Sequence, residues 1–213
     1  MDHIADRLGT VTVGSASADV WHAWTDGHGE PEVLAPRERT RLARFRDAAA
    51  AARYLRTRTL VRRVLAAHLN LEPAHVPITQ TDLGKPVVAG SVHFNVSHSG
   101  DLIVLAVSAD RAVGIDIERR RPVQGAGALM ARWLTAAEQE DVTRRVRAGV
   151  SESDAFLYVW SLKEARLKAL GVGISAALSP VAEQTTAIPL DGILAQLAAS
   201  RVGPGYVGAV AFA

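Results

Sequence analysis

Three short stretches hold residue types that could do chemistry together. The first is Trp160-Ser161-Leu162-Lys163-Glu164-Ala165-Arg166-Leu167-Lys168, in which Glu164 and Lys168 stand four residues apart. On a helix that spacing puts a carboxylate and an ammonium on one face, one turn apart. Alone, the pair reads as a surface ion pair contributing about 0.3–0.5 kcal/mol. Lys163 makes it less ordinary, because it falls on the otherwise apolar side with Phe156, Trp160, Leu167 and Leu170. The second stretch is Val113-Gly114-Ile115-Asp116-Ile117-Glu118. On a strand, Asp116 and Glu118 leave the same face, while Val113, Ile115 and Ile117 turn to the core. Gly114 removes a side chain beside the acids. Two carboxylates held this close repel unless a cation or a shared proton neutralises them. An all-oxygen pair suits Mg²⁺, which takes one or two carboxylates plus waters and phosphates, and Mn²⁺ accepts such oxygens too. A bare Asp-x-Glu equally describes a solvated strand face. In the third stretch, Phe94-Asn95-Val96-Ser97-His98-Ser99-Gly100, the spacing predicts a strand ending in a loop. Hydroxyls, exposed amides and an imidazole there could cradle a phosphate. A Ser-His hydrolase dyad is disfavoured, because adjacent residues do not pair as nucleophile and base and the glycine-elbow pattern is missing.

These stretches need elements to position them. Val11 to Val13 and Asp19 to Trp24 predict an early strand pair, and Arg37 to Phe45 and Ala48 to His68 predict helices. Tyr54, Val61, Leu65 and Leu69 repeat at helical spacing in the second helix, flanked by Arg53, Arg56, Arg58, Arg62 and Arg63. Val76 to Thr79 suits a short strand, followed by a turn carrying Lys85. Leu102 to Val107 and Ala112 to Glu118 read as an antiparallel hairpin about Ser108 to Arg111. Thr135-Ala136-Ala137-Glu138 is a capping-box pattern that opens a helix after a shorter one over Leu129 to Trp133. A long helix then runs from about Asp154 to Leu170 and stops at Gly171. A helical piece at Leu194 to Ala198 and a last strand, Tyr206 to Phe212, complete an α+β order in each half. The expected division is an N-terminal lobe over residues 1–108 and a C-terminal lobe over 109–213.

The bulk properties narrow the class. A chain of 213 residues with 48% hydrophobic and 22% charged residues can bury a sizeable core. A net charge of +2 is too small to argue for nucleic acid, and no apolar run reaches a membrane span. The start lacks the apolar block of a secretion signal. With no cysteine, disulfides and thiolate metal sites are excluded, which fits a cytoplasmic protein. Arginine supplies almost all the positive charge. The only lysines are Lys85, Lys163 and Lys168, each inside a stretch already singled out. A compact ammonium in place of a planar guanidinium suggests a point donor is wanted there.

Taken in order, Gly84-Lys85-Pro86, the Phe94–Gly100 stretch, the Val113–Glu118 stretch and Trp160-Ser161-Leu162-Lys163-Glu164-Ala165-x-x-Lys168 resemble the signature motifs of the Sfp-type 4′-phosphopantetheinyl transferases. The likeness also covers the arginine-rich stretch Pro36 to Val64 and the closing Gly205 to Val210. It implies a pseudo-twofold pair of similar α+β lobes with coenzyme A in the cleft between them. It implies transfer of the phosphopantetheine arm from coenzyme A to a serine of an apo acyl, polyketide or peptidyl carrier protein, releasing 3′,5′-ADP. By position, Asp116, Glu118 and Glu164 match the Mg²⁺ ligands, with Glu164 also a candidate base. Ser97 and His98 match contacts to the coenzyme A phosphates, Lys85 lies near the nucleotide and Lys168 at the pyrophosphate. The N-terminal part departs from the family pattern. For the 3′-phosphate it offers Arg37, Arg39, Arg41 and Arg53; Arg41 and Arg53 are the expected contacts, with Tyr54 and Arg58 as neighbours.

The resemblance further implies a role in secondary metabolism; a monomer is expected because one chain supplies both halves of the cleft, and charge and hydropathy point to neither nucleic acid nor membrane as partner. An acidic carrier domain would meet a basic patch to which Arg119 to Arg121 contribute, although those three also read as a solvated turn. Two other classes use the same residues: a Mg²⁺-dependent phosphohydrolase, and a silent module that binds coenzyme A or a carrier.

Overall fold

The computed structural model describes residues 6–174, 185–198 and 205–213, and the chain divides into two compact units, Met1–Arg111 and Ala112–Ala213. The first unit is built on a four-stranded antiparallel sheet of β1 (Asp6–Val13), β2 (Ala16–Trp24), β5 (His93–Ser99) and β6 (Leu102–Ser108), ordered β1-β2-β6-β5. Its helices are α1 (Pro36–Leu42) and the long α2 (Ala48–Leu69). Asp47 caps α2 by accepting from the amides of Ala49 and Ala50, and Asn70 closes it in the left-handed conformation. Leu60, Val61, Val64 and Leu65 of α2 pack on Ala23, Phe94, Ile103, Leu105 and Val107 of the sheet. This apolar face orients α2; of its arginines, Arg56 and Arg62 are buried, whereas Arg53 and Arg58 line a cavity.

Two expectations for this unit need correction. Leu102 to Val107 does not form a hairpin with the Val113 strand. All seven residues of β6 are buried, and its two edges are taken by β2 and β5, so none is left for a third partner. Val76 to Thr79 is not a strand either. A 3-10 turn spans Pro73–His75, and the pairing begins only at β3 (Thr79–Gln80), against β4 (Pro86–Val87). The cause is Arg62, fully buried in α2, whose guanidinium donates to the carbonyls of Pro73, Ala74 and Val76. Those carbonyls satisfy a buried charge instead of a ladder.

The second unit has a three-stranded antiparallel sheet, ordered β7-β9-β8, of β7 (Val113–Arg119), β8 (Thr186–Pro189) and β9 (Tyr206–Phe212). Its helices are α3 (Ala126–Trp133), α4 (Ala136–Arg147), α5 (Glu152–Leu170) and α6 (Asp191–Ala198). The capping box forms as expected: the Glu138 amide donates to Thr135 Oγ1, and the Thr135 amide donates to Glu138 Oε2 at 2.8 Å. Ser151 caps α5, and Gly171, at φ 72°, ends it.

Helix α5 lies on β7 and β9 through small residues, Ala165 and Ala169 against Ala209 and Ala211. Gly114 makes the closest approach. A Cβ there would stand 2.1 Å from the Ala165 carbonyl oxygen and 2.3 Å from the Ala169 amide nitrogen. No other residue fits.

Candidate active site

The contact at Gly114 sets the geometry of the acids. Gly114, Asp116 and Glu118 share one face of β7, and Gly114 touches the backbone of α5 at Ala165 to Ala169. That face is therefore turned toward the helical turn carrying Glu164 and Lys168. Lys168 Nζ lies 2.6 Å from Asp116 Oδ1 and also donates to the Ile115 carbonyl at 3.3 Å. Lys168 thus reaches across to the strand, so the plain surface pair with Glu164 is replaced by an ion pair to a buried acid. Glu118 is offset by Arg121 at 3.7 Å. Burial raises the Glu164 carboxyl above the usual carboxylate range; the charges of Asp116 and Glu118 raise it further, and Lys168 and Lys163 partly oppose them. The three acids thus form one electrostatic group.

Among the described residues no three acidic, imidazole or thiol side chains are gathered into a ready metal cage. Mg²⁺ does not require one, because it binds through one or two carboxylates and completes its shell with water and phosphate. A buried Asp116 whose Oδ2 is also enclosed, with two further carboxylates in electrostatic reach, fits such a hard cation by donor chemistry.

One important residue of this unit was not assigned a partner by its sequence. Lys163, only 1% exposed, places its ammonium 2.5 Å from Glu138 Oε2. The same carboxylate caps α4, so one acid joins the start of α4 to the middle of α5, next to Glu164. The available signal was a capping-box Glu together with a Lys on an apolar face: two charges bound for burial need each other. The arginines after β7 are also engaged, Arg120 with Asp154 at 3.2 Å and Arg121 with Glu118.

The first unit holds a cavity of about 400 Å³ lined by Arg41, Phe45, Arg53, Tyr54, Arg58 and His98, among others. The three arginines and His98 give its wall several cationic or hydrogen-bond-donating groups. Two guanidinium groups approach the Tyr54 ring, Arg41 at 5.2 Å and Arg58 at 5.8 Å from its centre. Glu38, buried in α1, holds Arg62 at 2.5 Å and Arg58 at 3.4 Å. Arg58 also lines an adjoining cavity with Arg37, Arg41 and Glu38, which gives it a larger place than that of a neighbour. Arg37 is partly spent on the Ile78 carbonyl, and Arg39 is exposed outside both cavities.

Ser97 and His98 do not lie in a loop. Both belong to β5, paired with Val104 and Ile103 of β6, and the turn is delayed to Gly100. Alternation then sends them to opposite faces: His98 joins Val96 at the cavity, while Ser97 is buried on the other side. Lys85 follows a turn closed by the Gly84 amide on the Thr81 carbonyl. It lies outside the cavity lining, next to Pro86, which is part of it, and burial lowers its pKa from the ordinary lysine value.

Two family models match the chain. One, described as 4′-phosphopantetheinyl transferase N-terminal, covers residues 22–110; the other, the 4′-phosphopantetheinyl transferase superfamily, covers 112–196. A phosphopantetheinyl transferase of a Thraustochytrium species is 36% identical over 158 residues, 68% of this chain and 55% of the relative. The human L-aminoadipate-semialdehyde dehydrogenase-phosphopantetheinyl transferase is 33% identical over 174 residues, 74% of this chain and 55% of the relative. A 4′-phosphopantetheinyl transferase of Bacillus subtilis is 32% identical over 148 residues, 68% of this chain and 64% of the relative. The matched region thus spans little more than half the length of most of these relatives. With both units matched, in sequence order, by models of one family, the chain belongs to the 4′-phosphopantetheinyl transferase superfamily.

Proposed function

We propose that this protein transfers the 4′-phosphopantetheine arm of coenzyme A to a serine of an apo carrier protein in a Mg²⁺-dependent reaction, leaving 3′,5′-ADP. The observation that carries this reading is the grouping of Asp116, Glu118 and Glu164 with Lys168 in the second unit. Asp116 and Glu118 would hold the cation, with Glu164 as a third carboxylate. The ion would neutralise charge that develops on the pyrophosphate during transfer. The rest of the work falls to side chains. Phosphoryl transfer depends on positioning and charge compensation more than on covalent help from the protein. Arg41, Arg53, Arg58 and His98 receive the phosphates of coenzyme A, and the Tyr54 ring braces the two guanidinium groups beside it.

Lys168 supplies a point charge to the pyrophosphate, and Glu164 accepts the proton of the attacking serine. Turnover retained in Glu164→Gln with Mg²⁺ bound would assign Glu164 to the metal alone. The acceptor in this reading is a fatty-acid, polyketide or nonribosomal-peptide carrier. The chain acts as a monomer in the cytoplasm, a location supported by its lack of cysteine; no helix among the described residues is long and apolar enough to cross a membrane. The test is to incubate the chain with coenzyme A, Mg²⁺ and a panel of apo carriers, and to follow intact carrier mass and nucleotide product. Gain of the phosphopantetheine mass with 3′,5′-ADP supports the transfer. Hydrolysed coenzyme A without mass gain on any carrier would mean a phosphohydrolase.

A further inference from the structure

Asp116 already has a cation. Its side chain is 7% exposed, and Oδ1 lies 2.6 Å from Lys168 Nζ, itself only 28% exposed. A carboxylate buried this deeply is costly without a counter-charge, and Lys168 meets that need from within the chain. The ammonium is further tied to the strand through the Ile115 carbonyl. A divalent ion approaching the Asp116 carboxylate meets this resident charge at ion-pair distance, where repulsion in a partly desolvated site is strong. Lysine can yield: its head sits on a flexible four-carbon stem, and Lys168 lies in the last turn of α5, three residues before the Gly171 stop.

We propose that Lys168 is the internal counter-ion of Asp116 and that the divalent cation and the Lys168 ammonium exchange at this carboxylate. Cation loading releases the ammonium, which becomes available to an incoming phosphate. Phosphate, by engaging Lys168, lowers the cost of cation loading. Each then tightens the other, as coupled binding requires. This exchange rests on the Mg²⁺ reading of the Asp116 group given above, and the test separates failure of the two.

The chain has only three lysines, so an ¹⁵N-lysine sample of the full protein gives at most three side-chain ammonium signals. Lys163, held by Glu138, serves as an internal reference. Mg²⁺ alone, without any nucleotide, should move the Lys168 signal and leave Lys163 in place; loss of a peak in Lys168→Met assigns it. Calorimetric titration with Mg²⁺ or Mn²⁺ alone should show about tenfold tighter binding to Lys168→Met than to the wild type, within the usual range of site coupling. Arg121→Met removes a like charge from the partner of Glu118 and should tighten binding much less. Equal tightening in the two variants, or Mg²⁺ binding that leaves the Lys168 signal unmoved, overturns the exchange while the metal reading stands. Binding to neither the wild type nor Lys168→Met overturns the metal reading and the exchange with it. Binding to Lys168→Met alone is the strongest form of the expected result.

Discussion

The two units build their polar sites in opposite ways. In the second, the acids and Lys168 come from one strand and one helix whose backbones touch at Gly114. Spacing along two regular elements therefore determines which side chains meet. In the first, the arginine-lined cavity draws long side chains from α1, α2 and β5, arranged around Tyr54 and steadied by Glu38. One site is held by backbone contact and the other by side-chain brackets. The first kind tolerates almost no change in volume, and the second should degrade in steps.

Gly114→Val is the severest way to break that contrast. Its side chain would enter the space of the Ala165 and Ala169 backbone, so α5 must lift from β7. A loss of about 3 kcal/mol or more is expected, as for strong overpacking, together with loss of transfer; denaturant unfolding and carrier mass report both. Asp116→Ala should keep the fold but lower turnover on the order of 1,000-fold, the scale of removing a central charge stabiliser. Chelation of the metal should reproduce that loss, and added Mg²⁺ should restore the wild type only.

Lys163→Met leaves the half-buried Glu138 with only the Thr135 amide and, at 3.9 Å, Arg166 for partners. The expected cost is about 1–3 kcal/mol, smaller when Glu138→Leu is added, because a broken pair is worse than an apolar replacement. Thermal unfolding of the single and double variants checks this. In the other unit, Arg58→Ala should raise KM for coenzyme A about tenfold with kcat little changed, and Arg41→Ala should act similarly. If either arginine variant instead stops turnover at saturating coenzyme A, the stepwise picture of that cavity is wrong.

The smallest effect concerns Lys85. Burial lowers its pKa, so its charge opposes folding at neutral pH. Lys85→Met should therefore raise the melting temperature slightly at pH 7. The gain should shrink as pH rises through the lowered folded-state pKa, and vanish above the ordinary value of 10.5.

The same contrast explains what could be read from the sequence. Helix α5, its glycine stop, the Thr135–Glu138 capping box and the shared face of Asp116 and Glu118 all follow from spacings of two to four residues. Such local periodicities are written directly into the chain. The pairing of β7 with β9, about ninety positions on, is not, and the adjacent Leu102 strand offered a hairpin for which its pairing with β2 and β5 leaves no edge. The full extent of β5 was missed because Ser and His look like turn residues, whereas pairing with β6 carries the strand through Ser99. Arg41, Arg53 and Arg58 are three of 21 arginines, and nothing local separates the cavity wall from solvated neighbours. The link from Lys163 to Glu138 spans 25 positions and becomes visible only when α4 and α5 pack.

The scarcity of lysine has a practical side. Lys163 is sealed off, Lys85 is half-buried, and Lys168 is mostly covered, so the described surface offers amine-directed reagents very little. Biotin esters, fluorescent succinimides and amine-coupled sensor chips would, chain terminus aside, react at the very positions proposed to meet coenzyme A. Immobilisation or tagging by that chemistry should behave as inhibition, and a thiol introduced into a chain that has none would be the safer handle.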